Sequence, residues 1–280
     1  MSTSFAWAGS SGDSWAERWR QLDRALDEVG DALIASVLEA APSGAFDAFD
    51  IGSGAGATSI ALASSRPDAR VTGCDLSPAL VEVAQARSAG LPSLQFIVGD
   101  AIEVASERRE IDLFLSRHGV MFFPDPPAAF RSFRDSATDG ADLIFTCFRA
   151  WNENPWASQL ASAAADRKLP APGREPGGFA FADPAYVNAL LSSAGWVPSE
   201  PEPVSFKYVA GEGDSKVEEA LDLLSQIGPA SAVLRELEPE DWPSAIERMR
   251  RVIELYSDGD AVRFPGAVWI WRARADGVSA

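Results

Sequence analysis

From Phe46 onward, short β-prone runs alternate with stretches of helical spacing; the runs are Phe46–Ile51, Arg70–Cys74, Leu94–Val98, Ile111–Ser116 and Ala141–Phe148. Such alternation predicts a parallel sheet whose strands are joined by crossover helices. A helix is expected after Gly56 and before Pro67, another from Pro78 to Gly90 with Ser77 as its cap, and a third from about Pro127 to Ser136. Upstream, Trp15, Trp19, Leu22, Leu26, Val29, Leu33 and Val37 recur in steps of four and three, which puts them on one face of an amphipathic helix. Ser14 and Glu17 offer a capping box at its start.

Beyond the fifth run the pattern changes. Residues Trp151–Ala182 are rich in Pro, Gly, Ala and aromatics, which predicts an irregular excursion. Asp183-Pro184 opens a helix that Gly195 closes, and Pro203–Ala210 and Ala267–Ala273 read as two final strands. Two amphipathic stretches, around Val217–Ile227 and Ala245–Tyr256, lie between those strands. The fold class expected is α/β, a doubly wound, mostly parallel seven-stranded sheet with an N-terminal helix and a small helical cap.

Composition narrows the partners. In 280 residues, 24 Lys+Arg face 41 Asp+Glu for a formal charge of −17, and only Lys168, Lys207 and Lys216 are lysines. A surface of that sign repels phosphate backbones and anionic lipid, so nucleic acid and membrane are excluded as expected partners. Cys74 and Cys147 each sit inside an apolar run and read as small buried hydrophobes, neither disulfide partners nor metal ligands. No apolar run approaches the ~20 residues of a membrane span, and Met1–Gly12 lacks the basic-then-apolar order of a secretory signal. The expected location is the cytoplasm.

The first strand runs into Asp50-Ile51-Gly52-Ser53-Gly54-Ala55-Gly56-Ala57, a glycine-rich turn that opens a helix. Glycines admit a ligand close to the backbone, and a helix start offers free N–H donors. Gly52, Gly54 and Ala57 also satisfy the dinucleotide pattern G-x-G-x-x-A, so the glycines alone leave the ligand open. Three acids add information. Asp50 stands where a cationic amine would be paired and a pyrophosphate repelled. Asp75 closes the second strand, where a carboxylate accepts from ribose hydroxyls. Gly99-Asp100-Ala101 closes the third, where a second acid accepts from an exocyclic adenine amine.

These residues resemble the class I S-adenosylmethionine-dependent methyltransferases, in particular the small-molecule group similar to the ubiquinone/menaquinone-biosynthesis methyltransferases. The family pattern acid-x-G-x-G-x-G is matched by Asp50, Gly52, Gly54 and Gly56, the ribose-binding acid by Asp75 with Leu76 beside it, and the adenine-side acid by Asp100 with Ala101. Ser116-Arg117-His118-Gly119-Val120-Met121-Phe122-Phe123 is similar to the family stretch after strand four, which touches the cofactor and faces the methyl acceptor. The resemblance implies S-adenosylmethionine as cofactor, held by these residues together with Ser53, Ser116 and Arg117, no metal, and a small-molecule methyl acceptor.

His118, the only histidine, falls at the carboxyl end of the fourth strand, where it is a candidate general base or an orienting group. Met121, Phe122, Trp151 and Trp156, with Phe179 and Phe181, are candidates for an apolar acceptor pocket. Asn154-Pro155-Trp156 follows the fifth strand, so it is not read as the N-P-P-aromatic motif of amino-group DNA methyltransferases, which follows the fourth. The expected organisation is a helical lid over residues 1–44 and a methyltransferase domain over 45–280, with insertions at about 151–182 and 212–258 capping the acceptor site. A catalytically silent S-adenosylmethionine-binding sensor and a nicotinamide-dependent oxidoreductase stay open as alternatives.

Overall fold

The computed structural model describes residues 7–276; residues 1–6 and 277–280, the outer ends of the two expected segments, lie outside the described residues. Strands β1 (Phe46–Ile51), β2 (Ala69–Asp75), β3 (Leu94–Val98), β4 (Ile111–Arg117) and β5 (Ala137–Phe148) pair in parallel in the order β3-β2-β1-β4-β5. β9 (Ala261–Ala275) then runs antiparallel to β5 and carries β6 (Trp196–Pro198), β7 (Glu202–Glu212) and the two-residue β8 (Ser257–Asp258) along its length. Among the described residues the sheet therefore has nine strands where seven were expected; β6 and β8 are too short for a period to register in sequence.

Helices α4 (Ala57–Ser65), α5 (Pro78–Arg87), α6 (Ala101–Arg108) and α7 (Pro126–Ser136) follow β1 to β4 in turn. Their starts are set by local chemistry. Ser77 Oγ accepts from Leu80 N at 3.2 Å, Asp100 Oδ1 from Ile102 N at 2.8 Å and Asp125 Oδ1 from Ala128 N at 3.0 Å, each satisfying an orphan donor of a first turn. The central strands are buried on both faces, as crossover helices require.

The N-terminal stripe forms three helices rather than one: α1 (Ser10–Glu17), α2 (Trp19–Ala25) and α3 (Asp27–Ala40), broken at Arg18 and Leu26. Ser14 thus lies inside α1 and caps nothing. The breaks let one apolar stripe serve three surfaces, with α1 on α5, α2 on β7 and α3 against α4, β4 and β5. At the α1–α5 crossing a Cβ on Gly12 would stand 2.3 Å from Ser77 Oγ, so only glycine allows this approach.

The excursion after β5 is also more ordered than expected, because Pro155–Ala164 forms helix α8. Asn154 at its start is fully buried and fully used: Nδ2 donates to the carbonyls of Ala150 and Ala267, and Oδ1 accepts from Ala267 N and the Trp156 indole. After α9 (Pro184–Ser193), three cap helices follow where two were expected, α10 (Lys216–Gln226), α11 (Pro229–Glu236) and α12 (Trp242–Leu255). α8 packs on α11 and α12, and α10 on β7.

Phe114 of β4 is the pivot of the main core, with ring centroids 6.2 Å from Phe49, 5.7 Å from Phe133 and 5.9 Å from Trp196. Phe114→Ala is expected to cost about 3–5 kcal/mol through lost transfer energy and the cavity left behind. Urea unfolding measures this, and a cost below about 1 kcal/mol would contradict the packing described.

Candidate active site

The strand order reverses between β1 and β4, and two cavities open above their carboxyl ends. The smaller, about 180 Å³, is lined by the glycine turn (Gly52, Gly54), by Asp75 and Leu76 after β2, by Asp100, Ala101 and Ile102 after β3, and by Arg117 to Gly119 after β4. Gly54 has φ +54° and the position of its missing Cβ is open, so its backbone presents a bare surface to the cavity. Its N–H donates to Asp75 Oδ2 at 2.8 Å, and Ser77 N donates to Oδ1 at 2.9 Å. Burial raises the Asp75 pKa, and the hydrogen bonds from Ser77 and Gly54 oppose that rise. Each oxygen keeps a lone pair for a ligand hydroxyl.

Asp50, expected to pair with a ligand amine, does not line this cavity. It is fully buried beneath the turn, where Oδ2 accepts from the Thr58 and Ser59 hydroxyls, each at 2.6 Å, and ties α4 to β1. Desolvation raises its pKa. Gly56, Ser53 and Ser116 line neither cavity. Gly56 packs against Phe96, Ser53 N reaches Cys74 O, and Ser116 Oγ donates to Ile51 O at 2.6 Å while accepting from Gly119 N. They build the turn from behind. Arg117 faces the cavity but is held by Asp23 of α2 at 2.8 Å; the other Asp23 oxygen meets Arg87 at 2.7 Å. Arg87 in turn lies 4.0 Å over the Trp19 ring, so Trp19 covers an arginine, and Trp7 and Trp15 are the tryptophans that line the cavity.

The larger cavity, about 680 Å³, lies between the N-terminal helices, the excursion and the cap. Phe122, Trp156, Phe148, Phe179 and Tyr208 give it an aromatic wall, with Met121 beside them. Trp151 and Phe181 stand outside it: Trp151 meets the Phe179 ring edge-on at 4.9 Å, and Phe181 belongs to the core beside Phe130. Trp7, Tyr208 and Arg235 were not foreseen, since no periodicity or spacing marks a residue that only the packing of distant segments brings to a wall.

His118, with Trp7, Trp15 and Phe122, lines both cavities and so forms their common wall. Its backbone is left-handed (φ +68°), its ring stacks on Phe148 at 4.2 Å, Nδ1 lies 3.4 Å from Thr146 Oγ1, and Nε2 is buried with no partner among the described residues. Burial, with a smaller effect from the Arg117 charge, holds its pKa down to about 3. The ring is neutral at ordinary pH.

Residues 49–145 match the family described as a methyltransferase domain. The release factor glutamine methyltransferase of Koribacter versatilis is 35% identical over 86 residues, 30% of this chain and 31% of that one. The trans-aconitate 2-methyltransferase of Escherichia fergusonii is 32% identical over 148 residues, 52% of this chain and 54% of that one. The chain thus spans from about a third to about half the length of these curated relatives. The fold is similar to that of magnesium protoporphyrin IX methyltransferase from Synechocystis, with a TM-score of 0.53 at 16% identity over 74% of this chain and 93% of that one. Over residues 49–145 the chain is thus similar to a methyltransferase domain, and S-adenosylmethionine is the cofactor that this similarity implies. The residues present fit that cofactor, with a bare glycine turn and carboxylates at the ends of β2 and β3 facing one cavity. No group of three or more His, Cys, Asp and Glu side chains among the described residues forms a metal cluster, and no described helix is long and apolar enough to cross a membrane.

Because the His118 pKa in the folded chain lies below its ordinary 6.5, its contribution to stability is fully present above that value and is lost as pH falls toward 3. The stability gap between wild type and His118→Phe is expected to shift against wild type by about 1.4 kcal/mol per pH unit below 6. Denaturation at pH 7, 6 and 5 checks this, and parallel pH dependences would refute the buried neutral ring.

Proposed function

We propose that this protein binds S-adenosylmethionine in the smaller cavity and transfers a methyl group to a small molecule held in the larger one. The observation that carries this reading is the shared wall of Trp7, Trp15, His118 and Phe122, across which donor and acceptor would meet. Asp100, Ala101 and Ile102 would hold the adenine, Asp75 and Leu76 the ribose, and the Gly52–Gly54 backbone and Arg117 the amino-acid end. The bound cofactor supplies an electrophilic methyl group on a sulfonium centre. The chain's own work is then to orient a nucleophile, keep water out and offer a hydrogen bond at the reacting atom.

His118 Nε2 is the group available for that hydrogen bond. A ring whose pKa lies near 3 is a weak base, so its role here is to position the acceptor rather than to remove its proton. The aromatic lining supports an acceptor with an apolar or aromatic body. Helices α1 to α3 act as a lid, and α8 with α10 to α12 as a cap over that acceptor. The net charge of −17 supports a small molecule over nucleic acid, and two free, buried cysteines support a cytoplasmic setting.

Isothermal titration is expected to show binding of S-adenosylhomocysteine, and folded protein that binds neither it nor S-adenosylmethionine ends this reading. Asp75→Ala is expected to weaken affinity at least about tenfold, because it removes the ribose acceptor and frees the Gly54 N–H it holds. Gly54→Val should abolish binding with the fold retained; binding that survives would make the turn purely structural. With a methyl acceptor in hand, His118→Phe is expected to keep turnover within about tenfold and to leave the pH profile between 5.5 and 8 unchanged, whereas a loss of ~10²–10⁴ would restore the general-base role.

A further inference from the structure

We infer that the methyl acceptor is an amphipathic carboxylic acid, an apolar or aromatic body bearing one carboxylate, and that Arg235 recognises the carboxylate. This rests on the reading in which the larger cavity holds the acceptor.

The lining of that cavity has an unusual charge. The chain has 41 acidic side chains against 24 Lys+Arg, yet no carboxylate is among the described residues that line the cavity, and Arg235 is the one charged side chain there. His118, which shares the wall, is neutral. The arginines of the neighbouring cap helix are treated differently. Arg248 meets Asp166, Arg250 meets Glu218, and Arg251 meets Glu247. Arg235 has no such partner among the described residues. Its Nε and Nη2 donate instead to the carbonyl and the hydroxyl of Ser231, both at 3.1 Å. Ser231 is itself buried, and its hydroxyl donates to Gly228 O at 2.7 Å, so the guanidinium is braced on the turn that begins α11.

An arginine that is braced by neutral groups keeps its full charge and a free face of its donor fork. Planar carboxylates match that fork, and a charge-assisted pair formed beside an apolar wall discriminates against a neutral analogue that leaves the guanidinium to water. Arg235 is exposed to solvent, so the discrimination expected is moderate, about tenfold rather than thousandfold. The aromatic wall receives the body of such an acid, and the absence of lining carboxylates removes the repulsion it would meet over most of this acidic surface.

The test titrates wild type, Arg235→Gln and Arg235→Lys, each saturated with S-adenosylhomocysteine, with 2-naphthoate and octanoate and with their neutral amides, 2-naphthamide and octanamide. At least one acid is expected to bind wild type about tenfold more tightly than its amide. That preference is expected to vanish in Arg235→Gln and to return in part in Arg235→Lys, with S-adenosylhomocysteine affinity the same in all three. Equal binding of acid and amide, a preference that survives Arg235→Gln, or no binding of any probe up to millimolar concentration while S-adenosylhomocysteine still binds would each overturn the inference and leave the cofactor reading standing. Failure of S-adenosylhomocysteine to bind wild type would instead bring down the cofactor reading, and this inference with it.

Discussion

The reversal of strand order between β1 and β4 is the constraint on which the site depends. Right-handed crossovers send the chain from β1 to one side of the sheet and from β4 to the other, so the loops that leave these strands must diverge. At their base the two loops touch, since a Cβ on Gly52 would stand 3.0 Å from Gly119 Cα. Above that contact they part, and the opening is lined by strand ends whose side chains no longer have a neighbouring strand to meet. The open backbone at Gly54, the Asp75 carboxylate and the His118 ring all stand on the rim of this one crevice.

A crevice alone would be wet, and the methyl transfer proposed here requires that water be kept from a sulfonium centre. The N-terminal helices and the cap supply the missing walls by different means. The N-terminal helices are tied by charge, with Asp23 bridging Arg87 beside the glycine turn and Arg117 at the end of β4. Aromatic packing holds the cap side. His118 stacks on Phe148, Phe148 packs on Trp156 at 5.1 Å, and Trp156 lies 4.6 Å from Tyr208 with nearly parallel planes. The same burial that aligns His118 removes its basicity, so the geometry that orients this group also limits what it does chemically. Polar atoms in such surroundings are costly unless satisfied, and Nε2 at the common wall is buried with no partner among the described residues.

How much of this was legible in sequence depended on how local each feature is. The five parallel strands, the caps at Ser77 and Asp183, and the glycine turn with Asp75 and Asp100 were readable because each rests on neighbours within a few residues, through period-two or helical spacing, a capping side chain, or a turn that needs positive φ. Tertiary packing decided the rest. Asp50, Ser53, Gly56 and Ser116 belong to the right motif, yet they lie behind the turn, because Asp50 and Ser116 are buried on their strands while Ser53 and Gly56 pack under the turn against β2 and Phe96. The breaks at Arg18 and Leu26 leave the apolar period of the N-terminal stripe intact, so only its docking on three surfaces reveals them. Trp7 reaches the cavities from about two hundred positions before Tyr208 and Arg235, and no rule of spacing operates over that distance. What the sequence by itself determined is the parallel sheet and the glycine turn with acids at the ends of β2 and β3, since local hydrogen bonds and backbone angles encode them. The shape, charge and company of the larger cavity were decided only when the N-terminal helices, the excursion and α10 to α12 packed on one another, because those walls are made by contacts between segments that carry no information about each other until they meet.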